Sequence, residues 1–274
     1  MKRADLQWIQ GELLGTFLLV FFGCGAVATS VAMDAPVGLF QVAITWGLGL
    51  AVAILLCGKL SGAHFNPAIT LAFAVFTDFP AKRVPGYILA QFAGAFLAAA
   101  AVYALYGGAI ETFEAGNGII RGEAGSEASA KIFGEFYGNL SGQPGADVSS
   151  DKVSHLRACL AEFMGTALLA LVIFGFIAKQ NSAVHQALLP LAIGLALTVL
   201  ICIFAPLSMA GFNPARDFAP RLFSSLAGWG KVPFETNGIG WLTVYIVSPC
   251  AGALVGGFIG KKLAYGTNQE STQE

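Results

Sequence analysis

Charge is what this sequence has least of. Only 11% of its 274 residues are Asp, Glu, Lys or Arg, against roughly 25% in a typical soluble domain. Too few charges remain to coat a soluble surface, and disorder needs the opposite bias. Neither sign is in excess: the net charge is -1, so no basic field points to nucleic acid. The five cysteines, Cys24, Cys57, Cys159, Cys202 and Cys250, sit in apolar stretches, with no Cys-x-x-Cys pair. A disulfide framework or zinc site is therefore not expected, and the cysteines read as small buried hydrophobes. No Ser/His/Asp, Cys/His or metal-ligand constellation falls in the apolar segments, so the chain does not read as an enzyme. No cofactor or metal is expected.

What is abundant is apolar sequence, 56% of the chain. A membrane span needs about 20 apolar residues, and six segments qualify: 11–33, 39–60, 84–105, 156–178, 186–204 and 238–263. The N-terminus is charged and then enters the first of them with no small-residue cleavage site, which predicts a first span and not a removed signal. Segments 66–76 and 213–224 are apolar but only about 12 residues long, or about 17 Å as helix, half of a 30 Å hydrocarbon core. Neither can cross alone. Two of them entering from opposite sides can meet end to end near the midplane.

Basic residues flank the spans unevenly. Lys2, Arg3, Lys59, Lys82, Arg83, Lys179, Lys261 and Lys262 fall on one side, and the short 34–37 loop on the other side has none. The positive-inside rule then places both termini in the cytoplasm and the 107–155 segment outside. That segment is rich in Gly, Ser and Glu but holds Ile119, Ile120, Phe133, Phe136 and Tyr137, and is expected to be a folded surface loop. The chain reads as one domain over 1–274: a first repeat at about 8–106, the outer loop at about 107–155, a second repeat at about 156–264 and a cytoplasmic tail at 265–274. Asn139-Leu140-Ser141 is a sequon in the outer loop that matters only where the host glycosylates.

The repeat is explicit. Glu12-Leu13-Leu14-Gly15-Thr16 matches Glu162-Phe163-Met164-Gly165-Thr166 at an offset of 150, and Leu60-Ser61-Gly62-Ala63-His64-Phe65-Asn66-Pro67-Ala68 matches Leu207-Ser208-Met209-Ala210-Gly211-Phe212-Asn213-Pro214-Ala215 at 147. Halves of three spans each run in opposite directions because three is odd. The result is an inverted repeat, with a site expected at the repeat interface near mid-membrane. Each Asn-Pro-Ala opens a helix: Asn66 and Asn213 suit the N-cap, and Pro67 and Pro214 suit the first turn, where a missing N–H costs nothing. Two facing helix N-termini, each worth roughly +0.5 charge, make a positive centre that repels cations and hydronium.

On Ser61 to Ala68 and on Gly211-Phe212-Asn213-Pro214-Ala215-Arg216-Asp217, the sequence resembles the aquaporin and glycerol facilitator family of membrane channels. The resemblance covers nearly the whole chain. It implies an all-α membrane protein of six transmembrane helices plus two re-entrant half-helices, right-handed, with one pore per subunit, assembled as a homotetramer among membrane lipids. Asn66, Pro67, Ala68, Asn213, Pro214 and Ala215 would form the pore midplane. Arg216, an intramembrane cation that must face water or carbonyls, would form the narrowest filter together with Trp46, Ile201 and Ala210. Asp217 resembles the glycerol branch of the family. Ile201 and Ala210 depart from that branch, which has Gly and Phe there, and predict a broader, half-aromatic filter. His64, two residues before Asn66 on the cytoplasmic side, reads as a pore-lining or loop-constraining group, and Arg221 as a surface or interface residue.

Glu12 and Glu162 admit two readings: proton coupling, or acceptance of hydrogen bonds from the re-entrant loops. Their matched placement favours the second. The expected function is a passive channel for small uncharged solutes: water, glycerol-like polyols, and by its filter urea, arsenous acid or protonated lactic acid. The alternative is an ion- or proton-coupled secondary transporter, which also uses broken helices and inverted repeats.

Overall fold

The computed structural model describes residues 6–138, 153–178 and 185–266. Lys2, Arg3, Lys179 and Asn139 lie outside them. All regular structure among the described residues is helical. The long helices are α1 (Gln7–Ala32), α2 (Leu39–Ser61), α4 (Val84–Gly116), α5 (His155–Ile177), α6 (Leu189–Ser208) and α8 (Ser248–Gly266), and the short ones are α3 (Pro67–Phe76) and α7 (Pro214–Ser224). Six stretches are long and apolar enough to span a bilayer: α1, α2, α5, Ala81–Gly116, Gln186–Ser208 and Gly240–Leu263. Large apolar side chains such as Leu55, Leu89, Leu105 and Val199 lie outward and exposed, as a lipid-facing surface requires. The chain is a multi-pass membrane protein of the expected class.

The third span is longer than hydropathy indicates. α4 continues past Leu105 to Gly116, into the stretch read as outer loop. The extension contains no proline, and Glu114 anchors its end by accepting hydrogen bonds from Arg121 (Nη2 2.7 Å) and Ser129 (2.6 Å). Hydropathy sees only the apolar run. The helix continues in spite of the low propensity of Gly107 and Gly108, held by this polar anchor and by the buried Ile110. Beyond it, the loop segment goes inward: Ile132 and Phe133 are fully buried, and Phe136 nearly so.

Packing repeats between the halves. α1 packs on α4 and on α2, and correspondingly α5 packs on α8 and on α6; α2 and α6 join the halves. The half-helices cross over: α3 packs on α8, and α7 packs on α4. Close crossings rest on glycine. A Cβ at Gly94 would strike the Leu13 carbonyl, and one at Gly252 the Phe163 carbonyl, the matching place in the other half. Gly47 of α2 and Gly194 of α6 likewise approach each other's carbonyls. Backbones held this close give the two halves fixed positions, which the half-helices need in order to meet.

Candidate functional site

The re-entrant loops bend through conformations that side chains resist. Ala63 and Phe65 in the first loop, and Met209, Ala210 and Phe212 in the second, have φ between 50° and 64°. Each such residue costs about 1–3 kcal/mol and persists only where the surroundings over-determine it. Here the two glutamates supply the constraint. Glu12 Oε1 accepts from Ser61 Oγ (2.6 Å) and His64 N (3.0 Å), and its Oε2 accepts from Phe65 N (2.8 Å) and Gln91 Nε2 (2.7 Å). Glu162 Oε1 accepts from Ser208 Oγ (2.6 Å) and Gly211 N (2.9 Å), and its Oε2 accepts from Phe212 N (2.7 Å). Tyr87 and Tyr245 donate to the Ser61 and Ser208 carbonyls in turn (2.5 and 3.0 Å). Gly15 and Gly165 leave the space that the Phe65 and Phe212 rings fill. Both glutamates are fully buried.

Asn66 and Asn213 cap α3 and α7. Asn66 Oδ1 accepts from Ala68 N (2.9 Å); Asn213 Oδ1 accepts from Ala215 N (3.0 Å) and Arg216 N (3.2 Å). Each amide also crosses to the other half: Asn66 Nδ2 donates to the Phe212 carbonyl and Asn213 Nδ2 to the Phe65 carbonyl, both at 2.8 Å. Each Nδ2 keeps a second hydrogen for a solute oxygen. Both residues line a cavity of about 530 Å³ whose walls are otherwise mostly Leu, Ile and Phe. His64 lines the same cavity, its Nδ1 3.2 Å from Thr70 Oγ1 and its ring stacked on Phe73 at 4.4 Å.

A second cavity, about 360 Å³, opens toward the loop side and is lined by Ser30, Val31, Lys131 and Glu135 among others. The residues common to both cavities are Trp46, Ile201, Ala210 and Arg216. These four, each about 5% exposed, form the wall that the two cavities share. Gly23 leaves room for the Trp46 indole, and the Arg216 guanidinium lies 4.2 Å from the Trp46 ring centroid. Arg216 Nη1 donates to the Phe133 carbonyl (3.2 Å), and its Nη2 is ion-paired with Glu135. Ile201 and Ala210 supply only alkyl surface. The shared wall therefore presents one aromatic face, one cationic donor and two apolar side chains.

Asp217, fully buried, ties the loop segment to α7. It accepts from Glu135 N (2.7 Å) and from Arg221 Nη2 (2.7 Å) and Nε (3.0 Å). Arg221 is not the surface or interface residue that its place in the sequence suggested. It is 1% exposed and also donates to the Pro233 and Glu135 carbonyls. Its burial follows from the loop folding over it. The motif reading also does not reach Glu135, Lys131 or Gln91. Ser61 and Ser208 were within reach, because they match across the 147-residue offset and serve the two glutamates identically.

The comparisons agree on one family. The major intrinsic protein profile matches residues 2–260. The glycerol uptake facilitator of Pseudomonas aeruginosa is 40% identical over 247 residues, 89% of this chain and 84% of that protein. The one of Escherichia coli is 39% identical over 254 residues, 92% and 86% of the two chains. The propanediol uptake facilitator PduF of Salmonella typhimurium is 37% identical over 258 residues, 92% and 93% of the two. Among solved structures, the aquaglyceroporin from Plasmodium falciparum superposes with a TM-score of 0.79 at 28% identity, covering 96% of this chain and 98% of that one. With its paired half-helices and its inverted repeat, the chain belongs to the major intrinsic protein family.

Proposed function

We propose that this protein is a passive, non-enzymatic channel that lets small uncharged solutes, glycerol-like polyols foremost, cross the cell membrane down their gradients. The observation that carries this is a pair of adjoining cavities, one lined by Asn66 and Asn213, that share Trp46, Ile201, Ala210 and Arg216 as common walls; we read these four as the neck of the path. A polyol has a carbon side and a hydroxyl side. The Trp46 face packs the first, while Arg216 and the paired amides donate to the second. Relatives whose names give glycerol and propanediol as cargo support a polyol. The half-helix N-termini reject cations, and an oxygen held as acceptor at the midplane is a poor link in a proton wire.

Glu12 and Glu162 act as braces in this reading, not as proton carriers, because both oxygens of each are taken by loop donors. The subunits assemble as a homotetramer in the inner membrane, with both termini in the cytoplasm and the 117–138 segment outside. Ile201 and Ala210 widen the neck for compact solutes such as water, urea, arsenous acid and lactic acid, the last only as its neutral form because the anion would lose its hydration in an apolar neck.

Ala210→Phe tests this assignment. The added ring fills the neck opposite Trp46 and should lower glycerol and lactic acid flux in liposomes several-fold more than water flux. Unchanged solute-to-water ratios would remove Ala210 from the neck.

A further inference from the structure

Glu135 stands beside Arg216. It is fully buried, lines the outer cavity and is ion-paired with Arg216. Apart from that pair, neither carboxylate oxygen receives a hydrogen bond among the described residues. A buried carboxylate is normally saturated with donors, as Glu12 and Glu162 are here. Glu135 instead has one partner, and that partner forms part of the neck. The other acids nearby already have partners. Asp217 is paired with Arg221 behind it on α7, and the Glu162 carboxylate on α5 holds three loop donors. Lys131, on the same loop segment and cavity wall, forms no ion pair among the described residues.

We propose that Glu135 is a specificity-determining residue that acts through Arg216: ionised, it cancels the charge of the guanidinium; protonated, it restores it. The neck then alternates between neutral and cationic, while the solute path itself is unchanged. Burial pushes the Glu135 carboxyl up to about 8; Asp217 and Glu162 add to the rise, and Arg216 and Arg221 oppose it. The exchange therefore falls within ordinary pH. The titratable and charged groups around the pair are Arg216, Asp217 and Arg221 on α7, Glu162 on α5, Cys24 on α1, Tyr245 at the start of the last span and Lys131 on the loop. Glu135 is a positioning residue in this scheme: the cargo meets Arg216. The inference rests on the proposed placement of Arg216 at the neck of the path.

The consequence is an affinity of the neck for small anions that depends on Glu135. With Glu135 protonated, Arg216 and Lys131 both present uncompensated charge to the outer cavity, and a compact anion should lodge there and obstruct cargo. The test is glycerol flux into proteoliposomes in nitrate, against gluconate at equal ionic strength, at pH 6.5 and pH 9.5. Wild type should be blocked by nitrate about tenfold more strongly at the lower pH, the effect of one charge about 10 Å away at an effective dielectric of 20. Glu135→Gln should show the strong block at both pH values, and Glu135→Asp should keep the pH step. A wild-type block that does not change with pH overturns the proposal, as does a pH step that survives in Glu135→Gln. The wild-type comparison decides by itself if neither variant folds. The placement of the neck fails separately, through unchanged selectivity in Ala210→Phe.

Discussion

Glu162→Leu should lower the midpoint of thermal unfolding in detergent by about 6–24 °C and leave little channel in the membrane. Leucine leaves Ser208 Oγ, Gly211 N and Phe212 N buried without their shared acceptor. Each orphaned donor costs about 1–3 kcal/mol, so the loss is on the order of 3–6 kcal/mol after the carboxylate's own desolvation is relieved. At about 2–4 °C per kcal/mol for a chain of this size, the shift is well outside error. The strained residues Met209, Ala210 and Phe212 would then relax, and α7 would lose its aim. Glu162→Gln keeps one acceptor oxygen but turns an N–H₂ toward donors, so it should fall about midway. Glu12→Gln should cost as much or more, because Glu12 holds four donors. If Glu162→Leu unfolds with wild-type Tm yet loses solute flux, the carboxylate has a transport role that bracing does not explain.

Asn213→Asp should open the midplane to cations while slowing glycerol. Two half-helix N-termini contribute about +0.5 each, and a carboxylate between them cancels about that total. Removing one unit of repulsion about 4 Å from a permeating cation, at an effective dielectric of 20, lowers its barrier by about 4 kcal/mol, or roughly a thousandfold in rate. The same change sets a carboxylate oxygen where Nδ2 now donates to the Phe65 carbonyl. That cross-loop bond becomes a repulsion, and the donor that a hydroxyl oxygen would meet is lost, so glycerol flux should drop about tenfold or more. Asn66→Asp should behave alike, because Asn66 makes the mirrored bond to the Phe212 carbonyl. Ion conductance in planar bilayers reads the first effect and liposome swelling the second. A mutant with wild-type glycerol flux and no added conductance would show that the charge of the half-helix ends is not the barrier.

How much of this was legible in the sequence follows from what each feature rests on. The six spans, the two half-helices and the inverted pairing are written in hydropathy and in repeated local motifs, so they can be read one segment at a time. The resemblance also named Trp46, Ile201, Ala210 and Arg216, the four residues proposed for the neck. Glu135 and Arg221 were not legible. Their environment comes from residues far along the chain: Glu135 N meets Asp217 across 82 positions, and Arg221 meets the Glu135 carbonyl across 86. No local pattern marks a loop acid that folds back onto an arginine of a half-helix. The end of α4 was missed for a different reason. Hydropathy measures the membrane, whereas Glu114, Arg121 and Ser129 extend the helix in a polar setting. Gln91, the fourth donor to Glu12, has no counterpart among the described donors to Glu162, so the comparison of halves could not reveal it.

The central claim is that solute moves through this protein passively. The direct measurement is the uptake of labelled glycerol into liposomes holding purified protein, with and without imposed proton and sodium gradients. The account predicts the same initial rate in every condition and an internal concentration that stops at the external one. Accumulation above that level under either gradient, abolished by Glu12→Gln, would contradict it and make the protein a coupled transporter.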